Sequence, residues 1–440
     1  MVSRRSALAL FSLSVSALAG CNTIERTARD EPVKDIRDFG AAVDGTTDDT
    51  TAVRDAIDAV DVGGDVYFPP GTTLVSADDK SEVGARAVEV LGDELPDDVT
   101  FRGDGEESII RLGGGHQNNH GVFVWRPQDG ISGHVVRDLT VDGNRDEQPA
   151  DPDDDDNGLN LAIGEAAHDD AVVDVTFENV WSVDANTEGF TLRQGGCVAN
   201  RCTATGSGKH GFGIDSQGKT GPVSPPIRVQ NCYATECRLY GIDCSGGTIV
   251  VEDSVFENNG WGTKTTGQAF DVTYRRVRLT DNDTLGYQRN DTPSETGSRA
   301  TVTFDAVIAA ENGHQGFRLG RDTDYDIESI TARGNNTSGS NSGNIAVMDN
   351  ARMDATEIRS YGAVNGAGIH YWSALTSTIS KYVNADNADG AVNGEAERLT
   401  IRSVGIPNGI LEGIDADPVP HGRDVGAGTP LPRIDTEAGG

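Results

Sequence analysis

The sequence predicts an all-β chain wound into a solenoid of roughly ten coils, covered at its N-terminal end by a short helix. Three observations carry this. One motif, a small residue followed by an apolar one, returns as Asn186-Thr-Glu-Gly-Phe-Thr-Leu-Arg193, Lys209-His-Gly-Phe-Gly-Ile-Asp215, Leu239-Tyr-Gly-Ile-Asp-Cys-Ser245 and His314-Gln-Gly-Phe-Arg-Leu-Gly320. Aligned on that small residue, Gly189, Gly211, Gly241, Gly262, Gly286, Gly316, Gly343 and Gly368 form one series with intervals of 22, 30, 21, 24, 30, 27 and 25 residues. Between them lie short alternating runs such as "VTFENV", "IRVQNC", "IVVEDSVF" and "TVTFDAVI", separated by Asn, Asp and Gly. No long stretch keeps a helical period, and a unit of this length with two or three strands is one coil of a solenoid.

Stacked coils pair in parallel about 4.8 Å apart, so each buries its inward side chains on its neighbours. The repeat is expected to use its glycine for a tight bend, its Phe, Leu or Ile for the core, and the intervening positions for solvent. The register is firm at Gly189, Gly211, Gly241 and Gly316 and looser at Gly262, Gly286 and Gly343. Cys202 and Cys232 each stand nine residues before a series glycine, so they fill one inward slot in adjacent coils. That spacing allows a disulfide; stacked free thiols are the other reading. With Cys197, Cys237 and Cys244 the group is odd in number, so one thiol stays free if all bridges are internal.

Taken in order, residues 1–21 form an export signal: Ser3-Arg4-Arg5-Ser6-Ala7-Leu8 resembles a twin-arginine motif and Leu18-Ala19-Gly20-Cys21 a lipobox, with Cys21 the lipidated residue. Residues 22–34 are a polar tether, 35–410 the solenoid, and 411–440 an acidic tail or cap. In the N-terminal cap, residues 35–75, Asp48-Asp49-Thr50 opens a helix with Ala52, Val53, Ala56, Ile57 and Val60 as its apolar stripe. Gly63-Gly64 ends the helix, and Val66-Tyr67-Phe68 begins the first strand. Asp151–Asp156, "DPDDDD", reads as a solvated loop, with calcium binding as the alternative. Asn282, Asn290 and Asn335 head glycosylation sequons.

The segment Asp38–Val75, "DFGAAVDGTTDDTTAVRDAIDAVDVGGDVYFPPGTTLV", resembles the opening of the pectate lyase-like superfamily, which includes pectate lyases and polygalacturonase-like hydrolases; Arg137–Asp146, "RDLTVDGNRD", resembles another segment of that group. The resemblance spans most of residues 35–410. It implies a right-handed parallel β-helix and says little about chemistry, because the superfamily holds lyases, hydrolases, epimerases and non-catalytic surface proteins.

The formal net charge is −34, from 70 acidic and 36 basic residues, six of them lysines. Such a surface repels nucleic acid and anionic membranes. Acid excess with scarce lysine resembles haloarchaeal proteins, whose carboxylate surface stays hydrated in high salt. The expected protein is an exported monomer, at the cell surface through its lipid or secreted, touching membrane only through that anchor.

Alternation places one outward row of side chains on a flat face along which an extended polysaccharide can lie. That face collects His210, Asp215, Asp243 and Arg318 as candidate catalytic residues, and Arg193, Tyr240, Trp261, His370 and Trp372 as candidate substrate-binding ones. Asp142, Asn144, Arg145 and Asp146 can form a groove wall. Removing the proton α to a uronate carboxylate needs a base and a cation, and calcium held by Asp215 and Asp243 can supply the latter. The leading expectation is a lyase that cleaves an acidic polysaccharide by β-elimination. A glycoside hydrolase on the same scaffold, working through paired carboxylates, and a non-catalytic glycan-binding surface protein are the alternatives. The D-P-H signature of alginate epimerases is absent.

Overall fold

The computed structural model of the chain describes residues 33–78, 86–91, 95–116, 121–126, 131–148, 161–163, 173–193, 195–214, 225–266, 269–289, 299–338, 343–348, 350–372, 375–394 and 399–405. It is a right-handed parallel β-helix. Among the described residues, one long sheet, sheet A, gathers 23 strands, and a second, sheet B, gathers 12. The twelve strands of sheet B exceed the ten expected coils because the earliest coils lack the marker glycine. Val122 holds the register position of Gly189 two coils on. The signal segment with Cys21, the "DPDDDD" loop, Asn290 and the tail lie outside the described residues.

The capping helix, Thr50–Asp58, buries Ala52, Val53, Ala56 and Ile57, and Val60 beyond its end. Asp49 precedes it but caps nothing: its carboxylate accepts from the Ala42 and Val43 backbone at 2.7 and 3.0 Å. Asp48 takes the capping part, accepting from Thr50 N at 3.0 Å and Thr50 Oγ1 at 2.6 Å.

The central coils turn at two left-handed residues, and the later ones, with strands Thr323–Arg333 and Arg352–Tyr361, keep only the second. Asp138, Asn179, Arg201, Asn231, Asp253, Arg276 and Ala306, all at φ near +50°, stand in register and fold sheet A into two arms. Asp184, Gly206, Glu236, Asn258, Asp281, Glu311, Gly334 and Gly362 form the second such row, which delivers the chain to sheet B. Asn, Asp and Gly tolerate this conformation best, which is why they punctuate the repeat.

The series glycines do something else. Gly189, Gly211, Gly241, Gly262, Gly286 and Gly316 are absent from the left-handed set. A Cβ on each of the first five would lie 2.5–2.8 Å from the carbonyl oxygen of the next glycine in the series. They are glycines because neighbouring coils touch there, a correction to the tight-bend reading. The series continues through Asn344 rather than Gly343, since Phe317 pairs with Ile345. Gly368 rejoins it.

All five described cysteines are free and buried, so the disulfide alternative does not hold. Cys202 and Cys232 stack as inward neighbours, and burial raises the Cys202 thiol well above its ordinary range. Asn282 and Asn335, heads of two sequons, are 1% and 0% exposed and belong to a buried amide ladder, so neither can carry a glycan in the folded state. The "DGNRD" segment braces coils: Asp142 accepts from Arg111 Nε at 2.7 Å and Asn144 donates to the Leu112 carbonyl at 3.0 Å.

Candidate active site

Sheet B sets the site by register. Its outward row runs Thr191, Gly213, Asp243, Lys264, Gln288, Arg318, Ala346, His370 and Asn393. A second row, at the entry to the sheet, stacks His210, Tyr240 and Trp261; Glu188 stands one coil before His210. Between the rows, Phe212 and Ile242 point inward and are fully buried.

Five side chains from three coils, His210, Tyr240, Asp243, Ser245 and Lys264, converge where the rows meet. Asp243 Oδ2 accepts from Lys264 Nζ at 2.9 Å and lies 3.4 Å from His210 Nε2. Asp243 Oδ1 accepts from Ser245 Oγ at 2.8 Å. The Lys264 ammonium also lies 5.1 Å from the centre of the Tyr240 ring, a cation–π contact. The rings of His210 and Tyr240 are 5.2 Å apart, as are those of Tyr240 and Trp261. His210 and Asp243 are 4% and 6% exposed, whereas Tyr240, Trp261 and Lys264 are half-buried.

Burial disfavours the charged imidazole of His210 and lowers its pKa below the ordinary value; the charges of Asp243 and Glu188 pull the other way without winning. His210 is therefore neutral at pH 7. Its Nε2 faces Asp243, which places the proton there, and its Nδ1 is buried without a partner among the described residues. Burial also pushes the Tyr240 phenol up to about 12, so that group is protonated and suited to donate.

Of the residues expected at the site, His210, Tyr240, Asp243 and Trp261 come together. Arg318 shares the Asp243 row but stands three rungs along, about 14 Å. His370 is two rungs further, its ring stacked on Trp372 at 3.9 Å. Arg193 follows the strand Phe190–Leu192, and its Nε is buried with no partner among the described residues. Asp215 lies outside the described residues. Of the two residues expected to hold calcium, Asp243 has its oxygens facing Lys264, Ser245 and His210, and Asp215 lies outside the described residues. Lys264 is missing from the expected set, although it stands two residues after Gly262, at the offset that selects Asp243 after Gly241.

Residues 33–288 match the family model described as rhamnogalacturonase A/epimerase, pectate lyase-like. Among curated proteins of Azotobacter vinelandii, the chain is 29% identical to mannuronan C5-epimerase AlgE3 over 51% of its length and 12% of that protein's. It is 34% identical to alginate lyase 7 over 25% of its length and 13% of that protein's. It thus spans only a small part of these relatives. Among solved structures, the A-module of the epimerase AlgE6 from the same organism superposes with a TM-score of 0.66 at 19% identity, covering 86% of this chain and all of that module. The A-module of AlgE4 gives a TM-score of 0.60, also at 19% identity and over the same shares of both chains. With the family model spanning more than half of its residues, the chain belongs to the pectate lyase-like rhamnogalacturonase A/epimerase family.

Proposed function

We propose that this protein acts on a uronic-acid polymer by removing the proton on C5, α to the carboxylate. Two of the relatives are named as a mannuronan C5-epimerase and an alginate lyase, names that support a uronate polymer as substrate. The observation that carries the reading is His210: Nε2 faces Asp243 while Nδ1 has no partner among the described residues. A neutral imidazole oriented by a carboxylate is a general base; its unpartnered nitrogen is the atom to receive the C5 proton, which requires substrate binding to turn that nitrogen out of the buried position it holds here. Lys264 supplies the positive charge that stabilises the enolate-like intermediate. The Tyr240 phenol is the acid. It either returns a proton to C5, giving the epimer, or protonates the departing O4 as the C4–O4 bond breaks, giving an unsaturated end.

A hydrolase would need one carboxyl group as acid and a second as base or nucleophile. Here Asp243 is tied to Lys264 and Ser245, which favours the proton-abstraction reading. The test is incubation with several uronic-acid polymers in D2O at high salt, read by NMR. Deuterium at an inverted C5, or a new C4–C5 double bond, supports the reading and tells the two outcomes apart. New reducing ends without either signal, or no change in any polymer, would overturn it. High salt is chosen because a polyanion meets a protein of net charge −34, whose repulsion it screens. Export through the twin-arginine signal and anchoring at Cys21 are part of the same proposal.

On this reading the polymer runs across the coils, from Trp261 past Arg318 to the His370–Trp372 stack. Trp372→Ala is expected to raise KM several-fold on long polymers and leave kcat on short oligomers unchanged, measured by initial rates on a size-fractionated substrate series.

A further inference from the structure

Gly213 is alone in the outward row in having no side chain, and it lies one rung from Asp243. The backbone does not require glycine, because Gly213 is not among the left-handed residues. What a Cβ would meet is one group: the three nearest atoms are Cδ, Oε1 and Oε2 of Glu188. The Glu188 carboxylate therefore occupies the space the missing side chain leaves. Thr191 Oγ1 holds it there, donating to Glu188 Oε2 at 2.6 Å. Glu188 also precedes His210 in the stack, so the imidazole has Glu188 on one coil and Asp243 on the other side.

Resting on the proton-abstraction reading, we propose that Glu188 is a positioning residue that acts on the reaction through His210, and that Gly213 exists to make room for its carboxylate. The charged groups around His210 are Asp243, Glu188, Lys209 and Lys264, with the Tyr240 ring tilted against it. Two carboxylates oppose the burial that drives the imidazole towards neutrality. Removing one leaves a weaker base, deprotonated to a lower pH.

A double-variant cycle tests this. Glu188→Ala and Gly213→Ala should each lower kcat about ten-fold and move the acid limb of kcat/KM to lower pH, by about one unit for Glu188→Ala. In Gly213→Ala the new methyl displaces only the flexible end of Glu188, so its unfolding midpoint should stay close to that of the parent. The double variant should be no worse than Glu188→Ala, because without the carboxylate the methyl has nothing to displace. Equal effects of Gly213→Ala with and without Glu188, or an unmoved acid limb in Glu188→Ala, would overturn the proposal. A second readout needs no turnover: the His210 ring titrated by NMR should show a lower pKa in Glu188→Gln than in the parent. If the parent is inactive on every uronate polymer yet this shift appears, the functional reading fails and the positioning role stands; if the shift is missing, the positioning role fails.

Discussion

Lys264→Ala is expected to lower kcat/KM on the polymer by about 10²–10³-fold, with most of the loss in kcat, read from initial rates at fixed salt and pH. The reasoning starts from charge. Taking a proton from C5 leaves negative charge spread onto the carboxylate, and only a cation fixed beforehand stabilises it at no cost in reorganisation. Lys264 is fixed on one side by Asp243 Oδ2 at 2.9 Å and underneath by the Tyr240 ring. An ammonium has three protons; one serves Asp243, which leaves donors for a substrate carboxylate. Lys264→Arg keeps the charge but brings a larger, planar group, and should recover only part of the rate. Asp243→Asn should lose as much as Lys264→Ala, since it frees both the ammonium and the His210 orientation. Because the two residues act as one unit, the double variant should be little worse than either single one. Full additivity would mean that Lys264 works elsewhere. Chelation should leave the parent rate unchanged, as the described site answers the substrate's charge with lysine.

The repeat is legible because close contact between coils forces a glycine at one position, and that constraint writes itself into the sequence at every turn. Spacing from that glycine alone puts Asp243, Tyr240, His210 and Arg318 on one sheet, where the fold has them. The glycine's reason is not legible: a close approach and a left-handed bend both demand glycine, and only coordinates separate them. Lys264 lies at the right offset, but in a coil whose motif, Trp261-Gly-Thr-Lys264, lacks the Phe or Ile that marks the others. Glu188 falls on the expected face with nothing in its spacing to single it out. Its importance comes from leaning over the next coil's Gly213, a relation between two rungs that spacing along the chain does not carry. The sequons mislead for a similar reason: an asparagine that heads a surface triplet and one that stacks inside a solenoid look alike until the coil is closed.

The inward asparagines give the largest expected effect on stability. Asn259, Asn282, Asn312 and Asn335 occupy one slot in four successive coils, followed by Asn344. Asn312 makes the interior bonds of this ladder. Its Oδ1 accepts from Asn282 N at 3.1 Å and Asn282 Nδ2 at 2.9 Å, and its Nδ2 donates to the Leu279 carbonyl at 2.9 Å and Asn335 Oδ1 at 2.8 Å. In Asn312→Ala, Asn282 Nδ2 keeps the Phe256 carbonyl and Asn335 Oδ1 keeps Asn312 N, so those groups remain paired. The Asn282 backbone N–H loses its partner in a site that is 0–1% exposed, while the Leu279 carbonyl keeps its place in the ladder with the strand Val307–Ala310. A buried polar group left unsatisfied costs about 1–3 kcal/mol, so a loss of about 2–3 kcal/mol is expected. Asn312→Asp should cost more, because it removes the donor and buries a charge. Urea unfolding at constant salt measures the total through the shift in midpoint, provided the slope is unchanged. Coils of a solenoid touch only their neighbours, so the damage should also be local. Hydrogen exchange should show the Asn282 amide losing protection while amides of the N-terminal coils, such as Val66 and Phe101, keep theirs. Uniform loss across the chain would mean that the ladder secures the solenoid as one cooperative unit rather than coil by coil.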